Sequence, residues 1–347
     1  MKVSECKTYD IETKSTVQDV KFLKITDAPF KIYGVTHDGE GFTRMPKEIA
    51  EGASESVRKR YRNTAGGRLR FNTNSRQFCM AVKLGTKTNL SFLTYHAASS
   101  FDVYAGVNHV SSVRCLETEL NYEFDKDTRN GGRAVITMNF PLFDNVEEVY
   151  VGLSADADVW EAEDTYETER PVVFYGAGVT QGIAGSRPGM TVGAQLGREF
   201  NFDHLNFGFY DGLDGSGVMA DYLSGLDMTA LVYDCDEKAA PEELARIYEP
   251  TFLKFREKQP KTPVVFLTSP YLEITEDVKR RYDIVKGTYE NALKSGDKNV
   301  YFVDAYGFFP EDLRLSDMTP DGKHFNDIAL YYIKEAVKPV IAKILGK

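Results

Sequence analysis

The chain has few of the residues that mark a cofactor protein or a disulfide scaffold. Its 347 residues hold four cysteines, five histidines and a single tryptophan. Cys6, Cys79, Cys115 and Cys235 are scattered without metal-ligand spacing, which argues against a zinc module or a disulfide framework. Cys79 in "RQFCMAVKL" and Cys235 in "LVYDCD" lie in strand-like apolar runs and read as buried thiols. No apolar run reaches the length that crosses a bilayer, and the opening "MKVSECKTYD" has no apolar signal core. The expectation is a cytoplasmic, reduced protein without membrane contact. Positive charge is also in deficit: 42 Lys and Arg against 52 Asp and Glu give a net charge of −10. That balance argues against a nucleic-acid partner, because no basic stripe is available for phosphates. The densest basic run, "RKRYR" at 58–62, reads as a solvated face.

What is present is enough apolar material for two cores, with two rhythms along the chain. Residues 1–168 show short alternating runs such as "GRLRFNTN", "QFCMAVKLG", "SFDVYAGVN", "RAVITMNFP" and "EEVYVGLSA". Alternation at period two, with β-branched and aromatic residues, predicts an all-β jelly-roll or β-sandwich domain. Only "MPKEIAEGASESVRKRY" there has the look of a helix. From residue 169 to 347 strand-like runs alternate with helical ones. "VVFYG", "HLNFGF", "ALVYDCD", "PVVFLTSP" and "NVYFVDA" each precede a helical pattern, the last being "NDIALYYIKEAVKPVIAKIL". This predicts a three-layer α/β/α domain on a parallel sheet. Ligands of such sheets bind at the carboxyl ends of the strands, so Gly176, Tyr210, Asp236, Ser269 and Ala305 are the positions to read.

Five stretches, in this order along the chain, resemble the SGNH (GDSL-type) hydrolases. They are "NTAGGRLRFNTNS", "VFYGAGVTQGIAGSRPG", "LNFGFYDG", "YENALKSGDKNVYFVDA" and "TPDGKHFND". The similarity is to two-domain members with an N-terminal β-sandwich, which include acyltransferases and carbohydrate acetyl esterases. It implies an SGNH-like α/β domain, a small-molecule or carbohydrate ester ligand and no cofactor. It leaves the oligomeric state open.

The resemblance also assigns positions. Its first block puts Gly176, Ala177, Val179 and Thr180 around the nucleophilic serine, whose place is taken here by Gly178. The second block should offer an oxyanion-binding glycine. Ungapped, Asp211 stands there, with Gly212 one residue on. The third should offer an asparagine, where this chain has Lys238. The fourth, Asp-x-x-His, is intact as Asp321 and His324. In an acyl-transfer triad the serine attacks, the histidine takes its proton and the aspartate holds the ring. Here base and orienter remain without the nucleophile, and Asp211 and Lys238 are expected to pair where the oxyanion would sit.

Each candidate has a plainer alternative. Asp321 and His324, three apart before a helix, also suit a network at a helix start. Ser186 is the nearest hydroxyl to the turn and a candidate substitute nucleophile, but "SRPG" reads as the cap of the following helix. Arg187 and Asp236 are expected in the cleft. Asp211, Asp214, Asp236 and His324 lack the tight spacing of a metal site, and "DGLDGSG" lacks the Lys-Ser/Thr of a phosphate loop. Three functions stay open. The first is a ligand-binding member without efficient turnover. The second is a hydrolase driving water with the Asp321–His324 dyad. The third is an esterase whose nucleophile lies elsewhere.

Overall fold

The computed structural model describes residues 1–12, 19–114, 120–123, 134–162, 166–168, 170–210, 212–236, 239–271, 273–305, 308–310 and 313–347. They divide into two units. Met1–Arg44, Arg62–Tyr166 and Arg187–Gly189 form the first; Met45–Tyr61, Glu167–Ser186 and Met190–Lys347 form the second.

The first unit is built on two antiparallel sheets. One runs Val20–Lys24, Val146–Ser154, Gln77–Leu84, Leu120–Glu123 in spatial order. The other runs Val159–Glu161, Arg68–Thr73, Ala134–Asn139, Ser100–Ala105, Asn108–Arg114, with Lys31–Tyr33 also paired to Arg68–Thr73. Alternation decides which side chains face inward. Leu69, Phe71, Phe101, Val103, Ile136 and Met138 of one sheet share a core with Phe78, Met80, Val82, Val149, Val151 and Leu153 of the other. An apolar layer between two antiparallel sheets is the sandwich that the period-two runs predict.

In the second unit the strands are β1 (Val172–Gly176), β2 (His204–Gly208), β3 (Ala230–Asp234), β4 (Val264–Leu267) and β5 (Val300–Val303). All pair in parallel, in the order β2-β1-β3-β4-β5. The helices are α1 (Lys47–Gly52), α2 (Glu55–Arg60), α3 (Gly178–Gln181), α4 (Val192–Phe200), α5 (Val218–Ser224), α6 (Pro241–Lys258), α7 (Glu276–Lys294) and α8 (Asp327–Leu345).

Both faces of this sheet are buried, which is why its strands read as unbroken apolar runs. Val173, Tyr175, Leu231, Tyr233, Val264 and Phe266 point to one side, into a core shared with α5, α6 and α7. Val172, Phe174, Val232, Val265 and Leu267 point to the other, toward α4 and α8. The segment read as one helix before the sandwich strands is two short helices, broken at Ala53–Ser54. Their apolar residues Ala50, Ala53 and Val57 belong to the α/β core, which places Met45–Tyr61 in the second unit. Among the described residues, no helix is long and apolar enough to cross a membrane.

Candidate active site

The site grows from the carboxyl end of β1. The strand is buried along its whole length and passes through Ala177 (φ −98°, ψ −133°) into the single turn of α3, which Gly182 ends at φ 94°. Two glycines make so tight a crossing possible. A Cβ on Gly176 would lie 2.1 Å from the Asp234 carbonyl and 2.2 Å from the Thr180 hydroxyl. One on Gly208, at the end of β2, would lie 2.2 Å from the Gln181 nitrogen. Only a bare backbone lets α3 sit so close to the ends of β2 and β3.

Side chains then fix the turn. Thr180 Oγ1 donates to Asp234 Oδ2 at 2.8 Å, and Ser269 Oγ donates to Asp234 Oδ1 at 3.1 Å. Asn206 Nδ2 donates to the Thr180 carbonyl at 2.7 Å, and the Tyr210 amide donates to Gln181 Oε1 at 2.9 Å. Asp236, wholly buried, accepts the Ser269 amide at 3.1 and 3.2 Å. Gly178 is the first residue of α3 and is itself buried.

The Asp-x-x-His stretch folds as a turn around one carboxylate. Asp321 Oδ1 accepts the amides of Lys323 at 3.0 Å and His324 at 2.9 Å, while Oδ2 lies 2.8 Å from His324 Nδ1. Burial alone would raise the Asp321 pKa. The His324 ring and the two amides outweigh it and hold the carboxyl below its usual range. An ionised Asp321 therefore favours the tautomer in which Nδ1–H donates to it and Nε2 faces away from it. Nε2 faces the Tyr210 hydroxyl at 3.5 Å, with the rings 5.9 Å apart and tilted by 50°. Tyr210 in turn lies under the Arg60 guanidinium, 5.2 Å from its ring centre. The dyad and the α3 turn thus meet the same residue: Gln181 holds the Tyr210 backbone and His324 faces its hydroxyl. This arrangement can accept a proton at Nε2. Gly178 offers no hydroxyl to give one.

The other candidates fall as follows. Ser186 does not cap the next helix, as its sequence context suggested. A 3-10 turn at Pro188–Met190 intervenes, and Thr191 caps α4 by accepting the Ala194 amide at 3.2 Å. The Ser186 hydroxyl instead donates to Asp327 Oδ2 at 2.5 Å, at the start of α8. Arg187 reaches the sandwich residues Asp102, at 3.2 Å, and Tyr104, at 2.5 Å. Asp214 accepts the amides of Ser54 and Met219, each at 2.9 Å, and the Ser216 hydroxyl at 2.6 Å, so it organises backbone. Asp211 and Lys238 lie outside the described residues. Among the described residues, no group of three or more His, Cys, Asp or Glu side chains is placed to hold a metal ion.

Three participants carried no clear signal in the sequence. Asp234 is a carboxylate closing an otherwise apolar buried strand, which is the kind of oddity that marks a site. Tyr210 could be read only as a strand end, and Arg60 only as part of a basic run.

Residues 169–342 match the model of the GDSL-like lipase/acylhydrolase family, which is half of the chain. The chain belongs to this family. As a GDSL-like protein it carries the expected companion region: residues 20–159 match the model described as the N-terminus of SGNH-hydrolase-type esterases. The GDSL-like fold extends to solved structures. One is a GDSL-like lipase from Bacteroides ovatus, with TM-score 0.81 and 24% identity, covering 94% of this chain and 98% of that one. Another is the salicylyl-acyltransferase of a tetracycline biosynthetic pathway, with TM-score 0.76 and 19% identity, covering 95% and 98%. A third is a family two carbohydrate esterase from Clostridium thermocellum, solved with cellohexaose, with TM-score 0.62 and 14% identity, covering 82% and 94%. No curated protein matches the chain.

Proposed function

We propose that this GDSL-family chain binds a small-molecule or carbohydrate ester at the Asp321–His324 turn and does not turn it over efficiently. The observation that carries this reading is that Gly178 heads the α3 turn, the position that the resemblance assigns to the nucleophilic serine. Removing the nucleophile of a triad leaves only what binding and oxyanion donors supply. Asp211 and Lys238 reinforce the reading, because they replace the family's oxyanion glycine and asparagine with charged side chains. A carboxylate near a developing oxyanion repels it. The retained dyad supports binding of a polar, ester-bearing group, and the kinship in fold with an acyltransferase and a carbohydrate esterase supports an acyl or sugar ester as its class.

A second reading rests on the 2.8 Å contact between Asp321 and His324, which is the orientation a general base needs. Under it, His324 Nε2 deprotonates a water that attacks the ester directly. Hydrolysis of p-nitrophenyl acetate and of acetylated xylan separates the two. The first reading expects no wild-type activity above background, little in Gly178→Ser, and much more in Gly178→Ser/Asp211→Gly/Lys238→Asn. Wild-type activity that disappears in His324→Ala would replace it with the second, or with an esterase whose nucleophile lies elsewhere, which labelling by a fluorophosphonate probe would separate.

A further inference from the structure

The strands β4 and β5 end side by side. Beyond their ladder the Thr268 amide donates to the Val303 carbonyl at 3.1 Å, and the Ala305 amide donates to Thr268 Oγ1 at 3.2 Å. This tie brings Ser269 and Asp304 to one cavity at the carboxyl edge of the sheet. Helix α7 supplies a second wall. Thr275 caps it by accepting the Val278 amide at 3.3 Å, and Val278, Lys279, Tyr282 and Asp283 then fall on one face. The loop that joins β4 to α7 adds Tyr271 and Ile274. The cavity holds about 340 Å³ and lies wholly within the second unit.

Its lining is of two kinds. Ile274, Val278 and the rings of Tyr271 and Tyr282 are apolar. The polar groups beside them are held in place. The Tyr282 hydroxyl donates to Asp304 Oδ2 at 3.2 Å. The Tyr271 hydroxyl donates to the Asp236 carbonyl at 3.3 Å and accepts from Arg281 Nε at 3.2 Å. Lys279 and Asp283 are exposed. Charge around the cavity is mixed. An anion would meet Asp283 and Asp304. A cation would meet Lys279 and the two bases that lie over the rings: Arg281, 5.1 Å from the Tyr271 centre, and Lys286, 5.7 Å from that of Tyr282. Neither sign is favoured. A hydrocarbon ligand would strip water from Asp304 and Lys279 and return no hydrogen bond.

We propose that this pocket binds one neutral sugar ring, a pyranose residue. Such a ring has C–H faces that pack on tyrosine and aliphatic side chains, and hydroxyls that both donate and accept. A carboxylate has about four lone-pair sites, so Asp304 takes a sugar hydroxyl alongside that of Tyr282. Asp283 accepts a second hydroxyl, and Lys279 donates to a hydroxyl oxygen. Small-molecule pockets run from roughly 300 to 1,000 Å³, so a cavity of about 340 Å³ takes one ring and not a chain. Asp321 and His324 do not line it, and the site does not rest on the ester reading.

The test is saturation-transfer difference NMR on the full chain, irradiating aromatic protons, with the methyl glycosides of glucose, galactose, mannose and xylose at millimolar concentration. The site predicts saturable transfer to the ring protons of at least one glycoside. It predicts that Asp304→Ala, which removes a hydrogen bond to a charged group, weakens that affinity roughly tenfold or more. It predicts that His324→Ala leaves the affinity unchanged. A wild type that transfers to none of the four overturns the proposal. So does glycoside binding that survives in Asp304→Ala or vanishes in His324→Ala, and the latter places the sugar at the ester site. Tetramethylammonium chloride and sodium benzoate test the charged alternatives: binding of either, abolished by Asp304→Ala and without glycoside binding, rejects a sugar. If Asp304→Ala does not fold, the exposed pair Lys279→Ala/Asp283→Ala decides. It should weaken glycoside affinity about threefold or more, and an unchanged affinity rejects the site.

Discussion

Replacing Thr180 by valine should destabilise the α/β unit by about 2 kcal/mol, a loss that comes from one atom. Thr180 and Asp234 are 6% and 2% exposed, and the hydroxyl donates to the carboxylate at 2.8 Å. Valine keeps the branched shape and volume, so no cavity forms and the packing contribution nearly cancels. What is lost is one hydrogen bond to a buried charged group, which contributes roughly 1.5–3 kcal/mol. Ser269 Oγ, at 3.1 Å, still donates to the other oxygen of Asp234, which keeps the carboxylate from being stripped bare. The two units need separate observables, because one transition cannot be assumed for a two-unit chain. Trp160, the single tryptophan, lies in the sandwich unit, so its fluorescence follows that unit. Far-ultraviolet dichroism at a helical wavelength follows mainly the α/β unit, which holds every helix of more than six residues among those described. Urea titration should show the dichroism midpoint falling in Thr180→Val, the fluorescence midpoint unmoved, and Thr180→Ser within about 0.5 kcal/mol of wild type. In a background of Asp234→Asn the valine change should cost less, since the charge that made the bond strong is gone. A Thr180→Val protein within about 0.5 kcal/mol of wild type would refute the argument that Asp234 anchors the turn.

Two further outcomes follow from the geometry. Asp321 has its folded pKa below the ordinary carboxylate value, so its contribution to stability is present above the unfolded pKa and lost as pH falls through the folded one. Asp321→Asn should therefore flatten the fall in stability on acidification below about pH 4 while lowering stability at pH 7; identical acid limbs in both proteins would contradict the contact with His324. Burial pushes the Cys235 thiol well up and leaves Cys79 buried as well. Iodoacetamide followed by peptide mass mapping should find both unmodified in the folded protein and modified after urea, and rapid native labelling of either would show that its strand opens.

The strands and helices of the α/β unit were legible because each is written locally. "VVFYG" is buried on both faces and so unbroken in apolar character, and the helix from Pro241 to Lys258 carries its own period and its own proline at the start. The segment at Met45–Tyr61 was read within the β domain of residues 1–168, since its apolar residues say only that it packs, and its membership in the α/β core is decided across more than a hundred residues of chain. Ser186 shows how a local pattern misleads. A serine before Arg-Pro-Gly has the chemistry of a cap, but the helix is capped by Thr191, starts at Val192, and Asp327 takes the serine hydroxyl. The Asp321–His324 contact was readable because three residues of spacing bring it about. The Tyr210–His324 approach joins positions 114 apart and leaves no mark on either neighbourhood. Arg187 likewise finds Asp102 and Tyr104 only through the fold.

The central claim is that Gly178 leaves the family turn without a nucleophile, and a fluorophosphonate probe with intact-mass readout tests it most directly, because such probes require an activated serine. The account predicts no adduct on the wild-type protein and one adduct, mapped to the substituted position, on Gly178→Ser/Asp211→Gly/Lys238→Asn. A stoichiometric adduct on the wild type, at Ser186 or any other serine, would contradict it.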